Sequence, residues 1–169
     1  MRLAFATTGT IFPGMTPLAL PTPLVTTAWL AEHLGSPGLK VVDATTHLVT
    51  ANRDAHGEYL AGHIPGAVFA DIDWLSDETS SLPHTFPTPE QFAARMSTLG
   101  IENDDAVVVY DSSGQNFSAP RLWFMLRAFG HERVAGLDGG LRRWALDGRA
   151  IETGPVAQTP SHFVPHLDA

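Results

Sequence analysis

The chain predicts an α/β domain built on a mainly parallel sheet, and three observations carry that prediction. Apolar runs of strand length alternate with amphipathic runs of helix length along most of the sequence. One of them, Ala106-Val107-Val108-Val109-Tyr110, is apolar throughout, as a parallel strand covered on both faces should be. The segment after it repeats Leu122, Met125, Leu126 and Phe129 at helical spacing and stops at Gly130. With 169 residues, 44% of them hydrophobic and 17% charged, the chain is long and apolar enough to bury one core.

The elements follow in order. Residues 1–23 read as a loosely ordered leader, broken by Gly14 and by Pro13, Pro17, Pro21 and Pro23, with Met15 an alternative start. Leu24 to Thr27 is an extended entry into a helix over Ala28 to Leu34. Thr26 or Thr27 caps that helix, and Gly35 with Pro37 stops it. Lys40 to Ala44 is a short apolar strand. Residues 45–62 are mixed and polar, with a helical turn around Ala55 to Leu60. Ala67 to Ala70 is a second buried strand. Residues 71–88 hold three Asp and two Pro among Ser and Thr, so they read as a long surface excursion. The next helix has clear boundaries: Thr88 caps it, Pro89 opens it, Gln91 completes a capping box and Gly100 ends it. Arg133 to Leu137 is another strand and Leu141 to Leu146 another helix. From Glu152 the chain has no apolar period and reads as a tail or linker.

Charge and composition narrow the chemistry. The net charge of -8, from 18 acidic and 10 basic residues, lacks the basic surface that displaces counterions from nucleic acid, and it disfavours anionic membranes. No apolar run is long enough to span a bilayer, and no clear secretory signal opens the chain, so a cytoplasmic location is the expectation. The absence of cysteine removes thiolate nucleophiles, disulfides and cysteine-ligated metal centres. His33, His47, His56, His84, His131, His162 and His166 show no convincing metal-ligand spacing, and neither a metal nor a cofactor is expected.

Four features carry the functional reading. Residues 111–118 (Asp-Ser-Ser-Gly-Gln-Asn-Phe-Ser) join the central strand to a helix, where an open α/β sheet binds its ligands and a helix start suits an anion. Ser118 is placed to cap that helix. Asp111 opens the loop with a carboxylate of its own, which can take those N–H groups itself and repel an incoming anion. His63 precedes a Pro-Gly turn, where its ring can brace a neighbouring loop or orient a hydroxyl. Arg121, basic at a helix start, serves an anion, an interface or solvent. Asp54 lies upstream of His63 and can tune it only if the fold brings them together.

Six stretches, in this order and spacing, resemble a rhodanese domain. They are Arg53-Asp54-Ala55 to Glu58-Tyr59, Gly62-His63-Ile64-Pro65-Gly66-Ala67, Asp71-Ile72-Asp73, Val107 to Asp111, Ser118 to Trp123, and Leu137-Asp138-Gly139-Gly140-Leu141 to Trp144. The closer resemblance is to the amino-terminal half of a tandem-domain thiosulfate or 3-mercaptopyruvate sulfurtransferase. It implies a five-stranded, mainly parallel sheet with helices on both faces, a rhodanese-like domain over residues 24–151, and an interdomain linker over 152–169. In such enzymes the other half bears the cysteine, whose thiolate carries sulfur as a persulfide, and Asp111 stands here where that nucleophile would be. Asp54 and His63 match positions thought to support catalysis from this side. The resemblance therefore implies a partner, a cysteine-bearing rhodanese half, and a small sulfur donor bound only by the complete enzyme. This chain alone is expected to be inactive. A stand-alone, catalytically silent module used for binding is the second reading, and a cysteine-free hydrolase built on Asp111 or His63 the third. An exposed apolar patch of interface size separates the first two.

Overall fold

The computed structural model describes residues 18–167. Its strands are β1 (Leu24–Val25), β2 (Leu39–Asp43), β3 (Val68–Phe69), β4 (Ala106–Tyr110) and β5 (Val134–Leu137). Its helices are α1 (Thr27–His33), α2 (Ala55–Ala61), α3 (Pro89–Thr98), α4 (Ser118–Ala128) and α5 (Gly140–Leu146). The strands form one five-stranded sheet in the order β1-β5-β4-β2-β3, and every strand pairing in it is parallel. An isolated antiparallel bridge joins His63 to Glu152 outside the sheet.

β4 is central because its five residues are all buried and tolerate cover on both sides. Alternation along the strand sends Val107 and Val109 into one core and Val108 and Tyr110 into the other. Phe92 and Met96 of α3 and Leu122, Met125 and Leu126 of α4 cover the first face. Leu30 of α1, Trp144 of α5 and Ile64 from the turn before β3 cover the second. Each such side chain contributes about 1.5–3 kcal/mol by leaving water.

The caps hold as the sequence implies. Thr26 accepts from the Trp29 N–H at 3.1 Å, and Thr88 and Gln91 form the reciprocal box. One cap is corrected. Ser118 is the first residue of α4 and caps nothing; its hydroxyl donates to Asp111 Oδ2 at 3.3 Å, and the same oxygen accepts the Ala119 N–H at 3.2 Å. The buried carboxylate is the stronger acceptor at that helix end and replaces the hydroxyl.

The excursion over 71–88 is also less superficial than its composition implies. Ile72 and Leu75 are fully buried and join the first core. Arg95, itself buried, reaches back from α3 to the Ser76 carbonyl and to Glu78, each at 2.8 Å, and lies over the Trp74 ring. Two apolar residues three apart make a buried turn, and the Asp residues around it form local turns in solvent.

From Glu152 the chain has no helix or strand, as its composition predicts, yet it is strapped across the domain. It pairs with His63, crosses the end of α3 where the Ser161 N–H meets the Ser97 carbonyl at 2.9 Å, and buries Phe163 in the first core. It ends against α4, where the His166 N–H donates to the Phe129 carbonyl. All these contacts precede β3, β4 and β5, so the strap runs along the amino end of the sheet.

Candidate functional site at the carboxyl end of the sheet

β2 leads through α2 to β3 on one side, and β4 leads through α4 to β5 on the other. The crevice between the carboxyl ends of two such diverging strands is where open α/β sheets bind ligands. Here it holds two buried carboxylates, Asp43 and Asp111, exposed by only 1% and 3%.

Both are tied into one network. Asp43 Oδ1 accepts the Thr45 N–H at 2.9 Å and the Thr45 hydroxyl. Thr45 Oγ1 in turn accepts the Ser112 N–H at 2.9 Å, which joins the β2 and β4 loops. Asp111 Oδ1 accepts the Ser113 N–H at 3.2 Å and its hydroxyl at 2.8 Å, while Oδ2 takes Ser118 and Ala119. Gly140 lets α5 approach: at its φ of +55°, a Cβ would lie 2.5 Å from the Asp111 carbonyl oxygen. The anion-holding loop is thus filled by the chain's own carboxylate.

Burial, against hydrogen bonds from Thr45 and Tyr110, pushes the Asp43 carboxyl above its ordinary value, and the Asp111 charge adds to the rise. Burial and the Asp43 charge raise the Tyr110 hydroxyl well above the ordinary tyrosine value. A further anion would meet occupied donors and like charge.

Arg121 lines a neighbouring cleft of about 830 Å³ with Leu48, Val49, Leu82, His84 and Phe117. Its guanidinium donates to the His84 carbonyl, and its Nε has no hydrogen-bond partner among the described residues. Leu48, Val49 and Leu82 are exposed by 61%, 96% and 68%. The apolar wall is therefore open to solvent.

Asp54 and His63 are held apart by α2. Asp54 is exposed, caps the helix by accepting the Gly57 N–H at 3.0 Å, and borders a smaller cleft with Thr46, His56 and Asp71. His63 is fully buried, stacked on Tyr59 at 4.3 Å between ring centres. Its Nδ1 faces the Ile64 carbonyl at 3.0 Å and its Nε2 the Gly154 carbonyl at 2.9 Å. The ring braces the strap, and it makes no hydrogen bond to Asp54 or Asp111.

Sequence reasoning missed Asp43, Thr45 and an ion-pair network beside Asp54. In that network Glu58 receives Arg53 through two hydrogen bonds, at 2.7 and 2.8 Å, and His47 at 2.8 Å. The Arg53 hydrogen bonds, with His47 adding, hold the Glu58 carboxyl below its ordinary value. The Arg53…Glu58 spacing is a weak signal for this. Asp43 has a clearer one, as a carboxylate that closes an apolar strand. Among the described residues no group of three or more His, Cys, Asp or Glu side chains is arranged to hold a metal, and no helix is long and apolar enough to cross a membrane.

Residues 26–147 match the family model of the rhodanese-like domain. The chain belongs to the rhodanese-like domain family. Its domain is 50% identical over 131 residues to the mitochondrial thiosulfate/3-mercaptopyruvate sulfurtransferase 1 of Arabidopsis thaliana, a match covering 78% of this chain and 34% of that protein. It is 48% identical over 136 residues to the 3-mercaptopyruvate sulfurtransferase of Escherichia coli strain K12, covering 80% of this chain and 48% of that one. The crystal structure of SseA from Escherichia coli, a 3-mercaptopyruvate sulfotransferase, superposes with a TM-score of 0.79 at 45% identity, covering 88% of this chain and 58% of that structure. The chain thus spans a third to a half of these curated relatives. In this rhodanese-like domain the loop after the central strand carries a carboxylate, and the sequence has no sulfur nucleophile to replace it.

Proposed function

We propose that this rhodanese-like domain is the cysteine-free amino-terminal half of a thiosulfate or 3-mercaptopyruvate sulfurtransferase and supports a second half that bears the reactive cysteine. The observation that carries the reading is Asp111, whose two carboxylate oxygens consume the loop donors that would otherwise hold an anionic sulfur. A persulfide needs a thiolate, and the chain has none. What it offers instead is a surface. Leu48, Val49, Leu82 and Phe117 are exposed around one cleft beside that loop, which suits a protein face more than solvent.

In this reading residues 24–151 form the supporting domain and the segment from Glu152 is the link to the other half. Asp54 borders the smaller cleft next to that face, Arg121 presents its guanidinium at the interface or to an anion there, and His63 acts by position, fixing the strap beneath. The sulfur donor binds only in the complete enzyme. The partner is a protein, since a chain of net charge -8 is poorly suited to nucleic acid, and the working compartment is the cytoplasm.

The test is thiocyanate formation from thiosulfate and cyanide. The pure chain should give none. A separately expressed cysteine-bearing half should turn over at least about tenfold faster when this chain is added, the rate equivalent of roughly 1.4 kcal/mol of transition-state stabilisation. Turnover by the pure chain, or no gain on mixing, overturns the reading.

A further inference from the structure

His131 stands at the opposite end of the sheet from the functional cleft, in the turn between α4 and β5. It is 1% exposed, and among the described residues no side chain hydrogen-bonds either ring nitrogen, the nearby polar groups being the backbone of Arg133 and Asp105. Burying an imidazole away from water with no ion-paired carboxylate disfavours its charged form. The strap closes over this ring. Phe163 lies 5.9 Å from His131 between ring centres and packs edge-on against Phe92 at 5.8 Å. Beyond it the strap sits on Gly130, where a Cβ would overlap the His166 carbonyl.

Among the groups facing His131, the backbone of Arg133 and Asp105 and the charge of Asp104 favour a second proton, but burial of the ring outweighs them. From the turn before β4, Asp104 is exposed, and Asp105 is buried with Oδ2 on the Glu102 N–H at 2.8 Å. Burial raises the Asp105 carboxyl above its ordinary value, and no hydrogen bond joins it to the His131 ring. From the start of β5, the Arg133 guanidinium presents like charge. α4 contributes the apolar Phe129, and the strap contributes Phe163 and the backbone of His166. Burial pushes the His131 ring below the ordinary histidine value. The closed form therefore binds that proton less tightly than an open form. Its advantage is present above the ordinary histidine value and is lost as pH falls through the lowered one.

We propose that His131 is a proton-operated latch on the strap: the neutral ring holds residues 161–167 across the amino end of the sheet, and the protonated ring frees them while the sheet stays folded. The strap is the element that yields, because it is a single extended segment without secondary structure. The latch does not depend on the sulfurtransferase reading. If that reading holds, acid loosens the link to the catalytic half.

Hydrogen exchange of the full chain at pH 7.5 and 5.5, corrected for the intrinsic rate, tests this. Protection of the Ser161, Phe163, Val164 and His166 amides should fall severalfold at the lower pH, up to the roughly tenfold that one histidine proton can supply, with β4 unchanged. In His131→Phe the fall should be under about twofold, whereas a fall driven by His162 or His166 would persist there and overturn the proposal. Strap protection independent of pH in the unaltered chain also overturns it. If the variant does not fold, an NMR titration of the unaltered chain decides. The His131 ring midpoint must coincide with the midpoint of strap release, and separate midpoints reject the latch.

Discussion

Asp111 determines the character of the carboxyl-end site, because a single carboxylate both closes the loop and caps α4. Asp111→Ala would leave the buried Ala119 N–H and the Ser113 N–H without their acceptor. It should lower stability by about 1–3 kcal/mol per donor left unpaired, seen as a drop in the urea midpoint. A midpoint within error of the unaltered chain would mean that water replaces the carboxylate. Asp43 is the second residue of consequence. Thr45 bonded to it carries the β2 loop onto Ser112 of the β4 loop, which couples the two strands that frame the crevice. His63, by contrast, spends both ring nitrogens on backbone carbonyls and is a brace.

Among the elements, the strap after Glu152 changes the picture most. It carries few apolar residues, yet Phe163 completes the core between Phe92 and His131. Phe163→Ala should cost about 3–5 kcal/mol, measured by chemical denaturation, because the cavity opens in the first core and not at the surface. α3 is the most self-sufficient helix. Its capping box should make Thr88→Ala cost about 0.5–2 kcal/mol, again read by denaturation. The excursion over 71–88 depends on that helix, since Arg95 is what ties Ser76 and Glu78 to it.

As a whole, the molecule is finished at one end and open at the other. The amino end of the sheet is closed by the strap. The carboxyl end exposes Leu48, Val49, Leu82 and Phe117 around its cleft. If that face meets a cysteine-bearing half, Leu82→Asp should weaken the association by about tenfold or more in titration calorimetry and leave the urea midpoint unchanged, because the residue buries little in the isolated chain. An unchanged affinity would place the interface elsewhere.

The sequence by itself determined the class of fold, the order of elements, the capping box of α3 and the family. Each is written in local spacing: an apolar run, a period of three and four, a Thr three residues before a Gln. It also put Asp111 at the site, since a carboxylate at the end of a central strand is visible without coordinates. Tertiary structure alone decided what lies across from what. It made Ser118 a helix residue bonded to Asp111, buried Ile72, Leu75 and Phe163 within polar stretches, held Asp54 away from His63, and buried His131 beneath the strap with no side-chain partner. Those facts depend on contacts between residues far apart in the chain, and a local pattern cannot encode which buried donor finds which acceptor.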